Sequence, residues 1–173
     1  MGRPRVGDVF VIPTGDDRAG VGQVVATYGQ SAFYFAVFDL VVPLIDASQR
    51  AREALSTGVK FLALSMDAKL HAGHWTVVAT APVDAGIPLP GYKEVVELEG
   101  SFHFQVVDHS GQRTRTATPS EVSQLPNRTF VAPVRLEKAL RADLGLEPWL
   151  DHYAALRIEN VVSDESLFSQ PSE

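Results

Sequence analysis

The segment HAGH places His71 and His74 three residues apart, a spacing that puts both imidazoles on one face if the chain is helical there. Imidazole pairs with an open third position are how hydrolytic zinc sites begin. Gly73 lies between them and strand-like residues begin at Trp75, and no HExxH pattern or companion acid accompanies the pair. A polar turn is therefore the expectation for His71 and His74, with no metal.

His103 alternates with Phe102 and Phe104, so its ring points opposite to theirs, and His109 belongs to a turn. Each has the near-neutral acidity that acid–base catalysis needs, but neither sits in a recognisable catalytic frame. There is no GxSxG nucleophile elbow. Paired carboxylates are the other route to general acid and base work, and the local pairs are Asp16-Asp17, Glu97 with Glu99, and Asp164-Glu165. Each falls in a turn, on a strand surface or in the tail. Glu97 and Glu99 are expected on one strand face, either solvated or forming a patch for a cationic partner, and they are the candidate partner-binding residues.

GDDRAGVGQ, residues 15 to 23, carries three glycines in the manner of a phosphate-binding loop. Such a loop needs a Lys followed by Ser or Thr and then a helix, yet here Val21-Gly22 leads into the β-branched QVVATY. The stretch reads instead as a hairpin turn, with Gly22 at a bulge or a close backbone approach. Phe33, Phe35, Phe38, Phe102, Phe104 and Trp75 could stack nucleobases, but no basic residues alternate with them, so core packing is the expectation for all six.

These residues need elements to hold them. From Asp8 to Pro13 the apolar run suggests a strand covered on both faces, followed by strands at Val21–Tyr28, Ala32–Asp39, Lys60–Met66 and the segment HWTVVATAP. DASQRAREALSTG reads as a short helix, and residues 81 to 91 as an irregular Pro- and Gly-rich connector. KEVVELE, FHFQVVD and QRTRTAT then form an antiparallel meander. Thr118-Pro119-Ser120-Glu121 is a helix-start signature, VRLEKALRADLG an amphipathic helix, and Pro148 the start of another. The expected fold class is α+β: a small antiparallel β-barrel or strongly bent sheet with C-terminal helices. Residues 1–162 are expected to form a single globular domain, helical over about 118–157, with 163–173 a polar, frayed tail.

The 173 residues are 45% hydrophobic, enough for a real core. A net charge of −6 opposes nonspecific nucleic-acid binding and suits a basic protein partner. The absence of Cys removes disulfide scaffolds, thiolate metal sites and cysteine nucleophiles together. No stretch reaches the length of a signal peptide core or a membrane span, so the expectation is a cytoplasmic protein that does not engage a membrane.

Taken in order, VGDVFVIPTGDDRAGVGQVV, HWTVVATAPV with IPLPGYK, LPNRTFVAPVRLEKAL and GLEPWLDHYAAL resemble the immunity protein 26 family of bacterial polymorphic-toxin systems, over about Val6 to Leu156. The resemblance implies a cytoplasmic antidote that binds and blocks a cognate toxin protein. It brings no catalytic motif, no cofactor, no metal and no assigned contact residues, so the protein is expected not to be an enzyme. Two alternatives stand beside it: a metal- or His-dependent hydrolase using His71, His74 or His103, and a small-barrel RNA- or ligand-binding module, since the opening hairpin is similar to small barrels of toxin–antitoxin ribonucleases.

Overall fold

A computed structural model describes residues 2–169. In chain order its elements are β1 (Asp8–Pro13), β2 (Arg18–Tyr28), β3 (Ala32–Pro43), a 3-10 turn Leu44–Asp46, α1 (Ala47–Arg50), a second 3-10 stretch Ala51–Ser56, β4 (Val59–Ser65), α2 (Ala68–His71), β5 (Thr76–Thr80), β6 (Tyr92–Leu98), β7 (Ser101–Val107), β8 (Thr114–Thr116), α3 (Pro119–Gln124), α4 (Pro133–Asp143), 3-10 stretches Asp151–Leu156 and Ile158–Asn160, and α5 (Asp164–Phe168). Where the sequence suggested one domain over 1–162, the chain is arranged as two compact units. One comprises Met1–Asp84 with Phe130–Asn160, the other Ala85–Thr129 with Val161–Glu173.

The first unit holds a five-stranded antiparallel sheet in the order β4-β3-β2-β1-β5. Among the described residues no sheet closes into a barrel, which corrects the barrel expectation. Closure would require β4 and β5 to pair with each other. The free edge of β4 instead carries bridges from Ser65 to Val131 and from Phe61 to Arg157, so later segments of the chain occupy it. The continuous apolar run of β1 is covered on both faces, as its composition suggested. Phe10 and Ile12 pack with Leu136, Ala139 and Leu140 of α4, while Val9 and Val11 join clusters built on Ala47, Ala51 and Ala54. Phe10 stacks on Trp75 with centroids 5.4 Å apart and meets Phe35 edge-on at 5.3 Å. The Trp75 indole N–H donates to Glu137 at 3.0 Å, so the one polar atom of this aromatic cluster is satisfied by α4.

Gly22 has the role its neighbours implied. The β2–β3 register shifts between Gly20 and Gly22, and a Cβ on Gly22 would lie 2.5 Å from the Phe10 ring. The preceding GDD segment is a turn in which Thr14 Oγ1 donates to Asp16 at 2.5 Å and Arg18 pairs with the same carboxylate at 2.6 Å. The hydrogen bond from Thr14, then that from Arg18, holds the Asp16 carboxyl below its usual range.

The second unit is a three-stranded antiparallel meander, β6-β7-β8. At its helix α3, Thr118 Oγ1 accepts from the Glu121 N–H and the Glu121 carboxylate accepts from the Thr118 N–H, the reciprocal cap expected from the sequence. The polar tail expected from residue 163 onward contains α5 in place of a frayed segment. Asp164 is buried there because it finds hydrogen-bond donors, as described below. The last four positions of that expected tail, 170–173, lie outside the described residues. No helix among the described residues is long and apolar enough to cross a membrane.

Candidate functional site

Three places gather chemistry. The first is the β6–β7 hairpin of the second unit. Leu98 pairs with Ser101 across a two-residue turn in which Glu99 and Gly100 have φ of 51° and 77°, the double left-handed conformation of a tight hairpin. Val95 pairs with Phe104 and Glu97 with Phe102, so these four side chains share one face. They are not core: Phe102 is 74% exposed, Val95 52% and Phe104 38%, and Leu98 on the opposite face is 57% exposed. The core expectation for Phe33, Phe35, Phe38 and Trp75 holds; for Phe102 and Phe104 it is corrected, because α3 and α5 reach only the base of this sheet. There Lys93 Nζ donates to the Val122 carbonyl at 2.6 Å, and Arg115 pairs with Glu121 and with the Leu167 carbonyl. Glu97 and Glu99 are both exposed at the tip and form no ion pair among the described residues. They do not share a strand face as expected, since Glu99 has left the strand for the turn. His103 is exposed on the face opposite Phe102 and Phe104.

The second place joins the turn after β7 to the start of α5. His109 Nδ1 lies 2.6 Å from Asp164 Oδ2, which also accepts the His109 N–H at 3.0 Å. Neighbouring Asp108 is buried and accepts from Ser110 Oγ, the Gln112 and Arg113 N–H groups and Arg113 Nε. Burial alone would raise the Asp108 carboxyl; the bonds from Ser110 and Arg113 outweigh it and hold the group ionised below its usual range. Potential ligand atoms of Asp108, His109 and Asp164 lie within 4.8 Å of one another. The donors already on Asp108 and the Arg113 guanidinium against it oppose a cation, so the cluster serves as a pin between α5 and the β7–β8 turn. Sequence reasoning placed His109 in a turn and Asp164 in a tail, and nothing local links residues 55 apart.

The third place is a cleft of about 420 Å³ in the first unit, lined by Arg3, Arg5, Asp8, Asp67 and His71 over the apolar side chains of Leu70 and Val77. His71 ends α2, and Asp67 stands one turn earlier. Asp8 is engaged, accepting the Arg5 N–H at 2.9 Å and the Thr80 hydroxyl at 3.2 Å. His74 is exposed beyond Gly73, and among the described residues His71 and His74 gather no third metal ligand. No buried side-chain polar atom among the described residues lacks a hydrogen-bond partner, so none is left aimed at a missing ligand.

Against known proteins, no family model matches the chain, and neither a curated protein nor a solved structure does.

Proposed function

We propose that the protein is an immunity-type binding protein that neutralises a cognate bacterial toxin domain in the cytoplasm, using the tip of the β6–β7 hairpin as its contact surface. The observation that carries this reading is the exposure of Phe102, Phe104, Val95 and Leu98 beside Glu97 and Glu99. Aromatic side chains without a covering element are costly in water and are enriched at protein contacts. The acidic rim and the net charge of −6 favour a basic partner and disfavour a phosphate backbone. The resemblance of the sequence to immunity proteins supplies the toxin as the class of partner.

Co-expression with a toxin gene found beside its own gene is the test. The expected result is rescue of growth and a complex that co-elutes, with both lost on Phe102→Ser combined with Glu97→Lys. A toxin that kills equally with and without the protein refutes the reading.

A second reading, His-dependent hydrolysis, is favoured by the cleft that brings His71 near Asp67 and two arginines. It predicts turnover of a phosphate or carboxylate ester that disappears on His71→Ala. The small-barrel alternative loses its scaffold, because among the described residues no sheet closes.

A further inference from the structure

Backbone hydrogen bonds in an antiparallel ladder alternate sides, so one bond of known direction fixes the direction of the rest. Lys93 N–H donates to the Pro126 carbonyl, away from β7, and Lys93 also bridges Asn127. Val95 and Glu97, two and four residues on, therefore present their N–H and C=O groups on the same outer edge. The tip agrees with this assignment: the Phe104 carbonyl, across from Val95, faces away from β6 and accepts from Ala117 N–H. Among the described residues nothing pairs with the outer edge of Val95 and Glu97.

An open strand edge flanked by exposed aromatics is a template for another strand. Its charges decide which. The free length, Glu94 to Glu99, reads EVVELE, three acids and no base. Lys93, the one cation of β6, lies where residues 126 and 127 already occupy the edge, so a second copy of this chain cannot bring that lysine opposite Glu97. Pairing of two copies would bring acidic edges together, which opposes self-association. A strand alternating basic and apolar residues fits this edge: its apolar side chains fall on the face of Val95, Phe102 and Phe104, and its cations on the other face, beside Glu94.

Resting on the partner-binding reading above, we infer that the partner docks by adding a basic, alternating strand to the outer edge of β6. The partner's main chain completes the hydrogen bonds of Val95 and Glu97, and its apolar side chains pack on Val95, extending the apolar face that carries Phe102 and Phe104. Register is set by Glu94, and affinity by the main-chain bonds and the extended apolar face.

The test uses the full chain and three synthetic seven-residue peptides: alternating Lys and Val, alternating Glu and Val, and the Lys–Val peptide N-methylated on alternate backbone nitrogens. Amide NMR titration of the wild-type protein should show the Lys–Val peptide shifting Val95 and Glu97 and slowing their hydrogen exchange at least tenfold. Both other peptides should bind at least tenfold more weakly. Val95→Pro removes one outward N–H that no ladder bond uses, and should abolish binding while leaving the β7 and β8 amide spectrum in place. Equal binding of the N-methylated peptide, shifts confined to residues outside β6, or no response at millimolar peptide overturns the inference. So does tighter binding of single-stranded RNA at the same face. Rescue from the toxin is scored separately, so a protein that rescues while failing the peptide titration loses only the strand-addition mode.

Discussion

Replacing Gly22 with Ala tests the packing of the first unit at its tightest point. The added methyl would lie 2.5 Å and 2.6 Å from two ring carbons of Phe10 and 3.0 Å from the Ala36 carbonyl oxygen. Ordinary carbon contacts lie at about 3.5–4.0 Å, so the ring must retreat by roughly 1 Å. It has nowhere to go. Phe10 is fully buried, stacked on Trp75 and edge-on to Phe35, and the carbonyl belongs to β3 in mid-sheet. Overpacking of this kind costs about 2–3 kcal/mol, which for a chain of this length lowers the melting temperature by roughly 6–10 °C. Both tryptophans, Trp75 and Trp149, belong to this unit, so their fluorescence follows its unfolding separately from the other unit. Phe10→Leu removes the ring that the added methyl would strike. The double variant should therefore be more stable, by about 1 kcal/mol or more, than the sum of the two single changes. A Gly22→Ala protein within about 0.5 kcal/mol of wild type, or strictly additive changes, would refute the close-approach reasoning.

Further outcomes concern the second unit. The Arg115 guanidinium, with the backbone bond from Thr118, outweighs desolvation and depresses the Glu121 carboxyl from 4.5 to about 2. Such a group contributes stability that is present in full above about pH 4.5 and lost as the pH falls toward about 2. The ceiling is about 3 kcal/mol, reduced to about 1–2 by the solvent that reaches Arg115; urea midpoints followed by NMR between pH 6 and pH 2.5 should show this loss, and Glu121→Gln should flatten it. Asp164→Asn leaves the His109 ring and N–H with a weaker acceptor, and should speed amide exchange at His109 and along α5 at least tenfold while the tryptophan melting curve stays in place. Phe102→Ser should change thermal stability by less than about 0.5 kcal/mol, since the ring is exposed, yet abolish rescue in co-expression.

Where sequence predicted structure, the signal was local. The apolar run of β1 demands cover on both faces whatever the tertiary context, and Thr118-Pro119 with Glu121 closes its cap within four residues. Leu136, Ala139 and Leu140 needed only helical spacing to form the stripe that meets the sheet. Where sequence fell short, the deciding partner was distant. Alternation places Phe102 and Phe104 on one face but carries no information about whether a helix will cover it, and α3 and α5 stop short of the tip. His109 and Asp164 meet across 55 positions, and the edge of β4 that a barrel would close on is bridged by residues 131 and 157. Glu99 leaves the face of Glu97 because it is itself left-handed, at φ 51°, and alternation ends where the chain turns. The helical reading of DASQRAREALSTG holds in outline, but most of it is 3-10, with alanines at 47, 51 and 54 facing the sheet.

The internal ion pairs help explain why the hairpin tip carries the acids it does. Arg115 is taken by Glu121, Arg113 by Asp108 and Glu165, Arg18 by Asp16, Arg141 by Glu147, Lys69 by Glu137, and Lys60 by Asp39 and Asp143. These six cations are thus taken up within their own units, while Glu97 and Glu99 have no ion pair among the described residues. Beyond Lys93, whose ammonium is taken by the Val122 carbonyl, the backbone edge of β6 opens and the apolar face loses its cover. Unpaired acid, unpaired main chain and uncovered aromatics have different physical causes, and each alone is common on protein surfaces. Their coincidence over six residues is what a partner with the opposite charge and a free strand would relieve all at once.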